Sequence, residues 1–339
     1  MNNEDIVKKT TELLTDTYNA SWEGIYERYA GQILKNRGKY IQNKKAFQVN
    51  SPLTVYSTIG KVMSDSNTCL YDLRFAGQSV GMISVKNGKV KFTVSDKEAK
   101  NSQEKFGFKD SKALKNVDWK TDEGAQSFRR FFYGLKNNKE LKVKSQEHRL
   151  ENLILREFSK KLRTQEKLLC NIQPVRLGGL FFQLTTPLKA SLHQPTISLT
   201  NNKKGATGGG IDILARTRNA SNEVRLTIIE LKDENNPSEP QKDVMLQAMT
   251  YATFVAYLLR SKSGDKWWKI FGFNSSTNQH IDLNVVSLMP SGNTQECELT
   301  TIELPELNVS LHPYTLYFDI DSNGNPCAFS GTLHEELLK

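Results

Sequence analysis

IDILARTRNASNEVRLTIIELK, residues 211–232, consists of two apolar-rich runs separated by the polar segment RNASNE. Short apolar runs bounded by turn-forming residues read as strands. The segment is therefore expected to form a β-hairpin of strands 211–217 and 224–232. Antiparallel pairing about a turn centred on Ser221 sets Asp212 directly opposite Glu230, with Cβ atoms about 4.5–5.5 Å apart on one face of the sheet. Glu230 and Lys232 are two apart on a strand and share that face. Facing carboxylates destabilise a sheet unless a counter-charge compensates. Lys232 supplies one positive charge, and a divalent cation would supply more. Mg²⁺ suits such a place, because it takes oxygen ligands, usually one or two carboxylates with water and substrate phosphate. Glu-x-Lys also occurs at Glu98/Lys100 and Glu140/Lys142, but in hydrophilic runs that read as solvated charge. Only Glu230 ends an apolar run, LTII.

Upstream of the hairpin, NNKKGATGGG (201–210) reads as a flexible lead-in, and residues 172–200 read as irregular, strand-like segments. Gly208 to Gly210 precede a strand rather than opening a helix, so they do not read as a phosphate-cradling loop. Before them SQEHRLENLILREFSKKL is a helix with Glu151, Ile154, Leu155, Phe158 and Leu162 on one stripe. Glu151 interrupts an apolar packing face, where an unpaired carboxylate is costly. A metal or Lys232 is its expected partner, and Glu147, one turn earlier, competes for the role.

Downstream, a helix is expected from about Ser238 to Leu259, with Ser238 as N-cap, Gln241 three residues later and Pro240 in the first turn. Gln247 and Tyr251 lie four apart on one helix face, among core-like Met245, Ala248, Met249, Ala252 and Val255. The pair reads either as functional or as packed core. Strands are then expected at WWKIFGF, with Trp267 and Trp268 as strand core, at IDLNVVSLM and at YTLYFDID, with SNGNP as a turn.

Near the start, Trp22, Ile25, Tyr26, Tyr29 and Ile33 have helical spacing. LYDLRF, SVGMISVK and KVKFTVS form an antiparallel meander, with Asn87-Gly88 marking a hairpin turn. A helix from about Asp122 to Leu135 follows, with Arg129 and Arg130 facing solvent or phosphate. The charged run KNNKELKVK (136–144) reads as a link. Two domains follow: a basic α+β domain, 1–140, nucleic-acid-binding or regulatory, and a second domain, 141–339. The expected class is α/β (α+β mixed), a mixed sheet flanked by helices, preceded by the smaller meander domain.

The arrangement resembles the PD-(D/E)xK nuclease superfamily, whose pattern is a helical Glu, a strand Asp, a strand (D/E)xK and a helix often bearing Gln and Tyr. The matching pieces are ENLILREFSKKL (Glu151), GGGIDILA (Asp212), IIELK (Glu230, Lys232) and QAMTY (Gln247, Tyr251), over residues 145–260. The GID-then-ExK part looks like the restriction-endonuclease branch, and the QxxxY part is similar to the RecB-like branch. Ile211 stands where the pattern often has proline. The first 140 residues lie outside the resemblance.

The resemblance implies a restriction-endonuclease-like core and metal-assisted phosphodiester hydrolysis. Asp212, Glu230 and the Leu231 carbonyl would hold Mg²⁺, with Glu151 as a ligand directly or through water, and Mn²⁺ is expected to substitute. Lys232 would orient the attacking water and offset transition-state charge. Gln247 would orient substrate or water, supported by Tyr251. The implied activity is a DNA endonuclease of restriction or defence type, DNA being preferred over RNA. The alternative is an inactive nuclease-like fold that binds nucleic acid or serves as a scaffold.

Charge agrees with a polyanionic partner. The net charge is +9. Residues 1–140 hold 24 Lys and Arg against 16 Asp and Glu, whereas the rest hold 22 against 21. A lysine-rich solvated surface is the plainer reading of the same numbers. No apolar run approaches a membrane span, and MNNEDIVKKTTELL has no apolar core of the signal-peptide kind, so a cytoplasmic protein without a membrane partner is expected. Cys69, Cys170, Cys297 and Cys327 are scattered with no CxxC, which disfavours a structural zinc site and a disulfide framework. His148 and His193 have no recognisable nucleophile partner. Restriction-like cutting of both strands would call for a homodimer.

Overall fold

A computed structural model of the chain describes all residues except 18–20, 48, 60–66, 136–145, 161–170, 191–194, 198–208, 234–239, 294–296 and 339. Helices α1 (Asn3–Thr15) and α2 (Ser21–Phe47) are followed by strands β1 (Leu53–Thr58), β2 (Thr68–Phe75), β3 (Gln78–Lys86) and β4 (Lys89–Val94), helix α3 (Asp96–Phe106), strand β5 (Leu114–Asp118) and helices α4 (Glu123–Gly134) and α5 (Gln146–Glu157). Five short strands come next: β6 (Ile172–Pro174), β7 (Arg176–Leu177), β8 (Leu180–Gln183), β9 (Leu188–Lys189) and β10 (Thr196–Ile197). The chain continues through β11 (Ile213–Arg218), β12 (Val224–Leu231), α6 (Gln241–Arg260), α7 (Gly264–Ile270), β13 (Ile281–Pro290), β14 (Ile302–Leu304), β15 (Val309–Ile320), β16 (Pro326–Ser330) and α8 (Thr332–Leu338). The class is mixed α/β, as expected, with parallel and antiparallel pairing. Among the described residues no helix is long and apolar enough to cross a membrane.

The chain divides into two compact units, and not at 140/141. One comprises Met1–Gly31, Leu153–Val175 and Gln183–Lys339; the other comprises Gln32–Asn152 and Arg176–Phe182. The first thirty-one residues go with the C-terminal part for a physical reason. Trp22 and Tyr26 pack edge-to-face on Phe254 of α6 at 5.5 and 5.1 Å, and Tyr26 lies 5.9 Å from Trp267. Such aromatic contacts bury large area and add directional attraction. The expected link at 136–144 lies outside the described residues.

In the larger unit the sheet order is β14-β15-β13-β12-β11-β6, with β16 on β15. β12, β13 and β15 run parallel, and β11 is antiparallel to both β12 and β6. A parallel β12–β13 pair requires a crossover, and α6 and α7 lie in it. α6 is buried nearly all round, Val244, Met245, Ala248, Met249, Ala252 and Val255 each being fully enclosed, as befits a helix between a sheet and further helices. Trp267 and Trp268 lie in α7, not in a strand. Trp267, Ile270 and Phe271 recur at helical spacing and are buried, and Phe271 N–H donates to the Trp267 carbonyl at 2.8 Å. Trp268 stacks on Phe273 at 3.7 Å instead.

The second unit carries the expected meander in the order β5-β4-β3-β2-β1-β8-β7. Asn87 (φ 49°) and Gly88 (φ 76°) form its tight turn, both in the left-handed region. Phe92, Phe128 and Phe132 fill its core. Arg129 does not simply face solvent, because its guanidinium lies over the Trp119 ring at 4.7 Å.

Candidate active site

The β11–β12 register carries the site. Ile213 pairs with Ile229 and Leu214 with Ile228. The ladder ends at Ile213, and Asp212, the residue before it, lies in a bend at the start of β11. The loop is closed by Asn222 N–H to the Asn219 carbonyl at 3.0 Å and Glu223 N–H to Asn219 Oδ1 at 2.9 Å. At the open end of the hairpin Asp212 Oδ2 accepts the Leu231 N–H at 3.0 Å. The Asp212 carboxylate thus touches the backbone between Glu230 and Lys232.

Glu230 and Lys232 are 6% and 8% exposed, with Lys232 Nζ 3.7 Å from Glu230 Oε1. They are enclosed because β12 is an inner strand: Glu230 is in register with Ser287 of β13, and Lys232 N–H donates to the Leu288 carbonyl at 3.0 Å. Charges this far from water must be compensated locally. Asp212, Glu230 and Lys232 together carry a formal charge of −1.

From α6, Tyr251 is buried at 5% exposure, and Gln247, one turn earlier, is half-buried. Burial pushes the Tyr251 phenol well above its ordinary value. The Glu230 charge adds to the rise, a hydrogen bond with the Ala190 backbone opposes it, and Asp212 adds a little more. The fields of both carboxylates therefore reach this hydroxyl. Gly209 makes room for it: a Cβ there would overlap the Tyr251 hydroxyl and stand 3.2 Å from the Leu188 carbonyl. The Gly209 backbone cannot retreat, since its carbonyl accepts from Thr186 N–H at 2.9 Å and its N–H donates to Leu188 at 2.6 Å. Gly209→Ala is expected to cost about 1–3 kcal/mol, the range for overpacking a filled interior, read by chemical denaturation. Adding Tyr251→Phe should recover part of the loss by removing the overlapping oxygen, and a loss indifferent to Tyr251 would contradict the clash.

The N-terminus of α6 differs from expectation. Helix geometry starts at Gln241 with Pro240 as N-cap, φ −64° and ψ 141°, and Ser238 lies outside the described residues. Gln241 is the first helical residue. Its fully buried carboxamide donates to Ser287 Oγ at 3.3 Å and accepts from the Tyr317 hydroxyl at 2.9 Å. These bonds tie the start of α6 to β13 and β15, on the face that Glu230 shares through its register with Ser287. Sequence reading missed Gln241, Ser287, Tyr317 and Gly209 as neighbours of the site. A glutamine at the head of an apolar helix was the one available signal.

Glu151 has a different partner from those anticipated. It is 2% exposed and pairs with Arg74 at 3.0 Å, with His148 Nδ1 at 3.7 Å. Arg74 also binds Asp72 at 2.7 Å and lies over the Tyr56 ring at 4.2 Å. Burial pulls the Arg74 guanidinium down, but Glu151 and then Asp72 outweigh it and hold the group above its ordinary range. All these residues belong to the smaller unit. Glu147 is half-buried one turn before Glu151. Among the described residues no three histidine, cysteine or acidic side chains converge as a metal-binding group. His193 and Cys170 lie outside the described residues.

No family model, no curated protein and no solved structure matches the chain.

Proposed function

We propose that the larger unit is a Mg²⁺-dependent nuclease, with Asp212, Glu230 and Lys232 at its centre and DNA as substrate, acting as an endonuclease of the restriction or defence type. The observation that carries the reading is the enclosure of Glu230 and Lys232 at the end of β12, with the Asp212 carboxylate accepting the Leu231 N–H between them. The donor set fits the ion. Two carboxylates and a peptide carbonyl are hard oxygen ligands. Asp212, Glu230 and the Leu231 carbonyl would hold Mg²⁺ or Mn²⁺. When bound, the ion polarises a phosphate and lowers the pKa of its water.

The chain's own groups do the rest. Lys232 positions the attacking water and offsets negative charge as it develops on phosphorus. Tyr251 keeps its proton at neutral pH, because burial and two nearby carboxylates disfavour the phenolate; it serves as a hydrogen-bond donor and not as a base. Gln247 orients water or substrate from the same helix.

The test is incubation of the purified full chain with supercoiled plasmid, linear duplex and RNA, each with Mg²⁺, Mn²⁺ or EDTA. Cleavage that needs the divalent ion and favours DNA is the expected result. Binding without turnover under every condition would instead identify a nuclease-like scaffold.

A further inference from the structure

Arg216 and Arg218 lie two residues apart on β11 and so on one face of the sheet. Gln173 of β6 is the register partner of Arg216. These residues, with Asn171 and the segment Gly272–Asn274, line a cavity of about 190 Å³. Arg216 is half-buried and held in place: one guanidinium nitrogen donates to the Gly272 carbonyl at 2.9 Å and another to Gln173 Oε1 at 3.2 Å. Arg218 is exposed and makes no ion pair with a described residue. On the same hairpin, Glu223 is bound by Arg225 at 2.9 and 3.1 Å. None of the described residues lining the cavity carries a carboxylate. Two like charges on one face, one of them partly removed from water, repel each other and call for an anion. Burial lowers Arg216 from its ordinary range and Arg218 lowers it further, in line with that repulsion.

We propose that Arg216 and Arg218 form a phosphate-binding subsite, which takes a backbone phosphate of the nucleic acid. Guanidinium forks match phosphate oxygens in pairs, and the pinned Arg216 loses little freedom on binding. Arg216 lies four residues along the chain from Asp212 and Arg218 six, about 13 and 20 Å at strand rise, comparable to the rise of about four to six nucleotides of duplex. The assignment rests on the nuclease reading only for whose phosphate is bound.

The experiment is fluorescence anisotropy of a labelled duplex titrated with the full chain in EDTA, over a range of salt, for wild type, Arg218→Gln and Arg218→Glu. Each lost phosphate contact should reduce the slope of log affinity against log salt by about 0.9. The expected result is that reduction in Arg218→Gln and a larger one in Arg218→Glu, with melting temperatures unchanged because Arg218 is exposed. A parallel calorimetric titration with inorganic phosphate separates the sources. Heat lost in Arg218→Glu while the duplex slope stays constant identifies a free phosphate ligand. An unchanged slope together with unchanged phosphate binding overturns the proposal. Cleavage does not enter these readouts, so loss of the nuclease reading and loss of the subsite are told apart.

Discussion

Lys232→Ala is expected to reduce Mg²⁺-dependent cleavage by at least about a hundredfold, the cost of removing one preorganised group aimed at developing charge. Lys232 is 8% exposed and 3.7 Å from Glu230, so water cannot easily replace its ammonium. Single-turnover cleavage should fall while duplex affinity, measured in Ca²⁺, changes only a few-fold. That split marks a group acting on the transition state more than on substrate binding. The variant also takes the cluster of Asp212, Glu230 and residue 232 from −1 to −2, which makes a divalent ion more valuable to the fold. Its melting temperature should therefore rise more on adding Mg²⁺ than that of wild type, as ligand linkage demands. Undiminished cleavage in Lys232→Ala would remove the mechanism.

The second large effect concerns stability. Arg74→Leu is expected to cost the fold about 3–5 kcal/mol, the range for breaking a buried ion pair from one side. The guanidinium sits between Asp72 and Glu151, whose side chains are 14% and 3% exposed, and its loss leaves both acids enclosed without their cation. Replacing Glu151 as well, in Arg74→Leu/Glu151→Leu, should recover much of the loss, since apolar groups of similar size often substitute for a buried pair without penalty. Trp119 is the one tryptophan in the smaller unit, and a variant retaining only that tryptophan would report the unit's denaturation. A loss below about 1 kcal/mol would place the pair among weak surface contacts and contradict its burial. Glu151→Gln adds a discriminating arm: cleavage abolished at intact stability would assign Glu151 to catalysis, and impaired stability with intact turnover would assign it to the fold.

The hairpin was legible for local reasons. Its strands are short, its turn is set by Asn219 and Asn222, and side chains alternate with period two, so the pairing of Ile213 with Ile229 followed from counting. The aromatic stripe of α2, the Asn87-Gly88 turn and the apolar body of α6 were legible in the same way. The segment 264–273 was not, because a short apolar run fits strand and buried helix equally, and what settled it was Trp267 packing under Tyr26.

Contacts distant in sequence could not be read at all. Glu151 announced itself as a buried acid, but Arg74 lies 77 residues away, and no local rule selects it from 46 basic side chains. The unit boundary, the fit of Gly209 against Tyr251 and the loop that closes over Arg216 belong to the same group. Periodicity and turn chemistry act between neighbours and are written into residue order, whereas burial and charge compensation act between whatever surfaces the closed chain brings together. Residue order therefore yielded the hairpin and its register; folding chose which charges would neutralise one another.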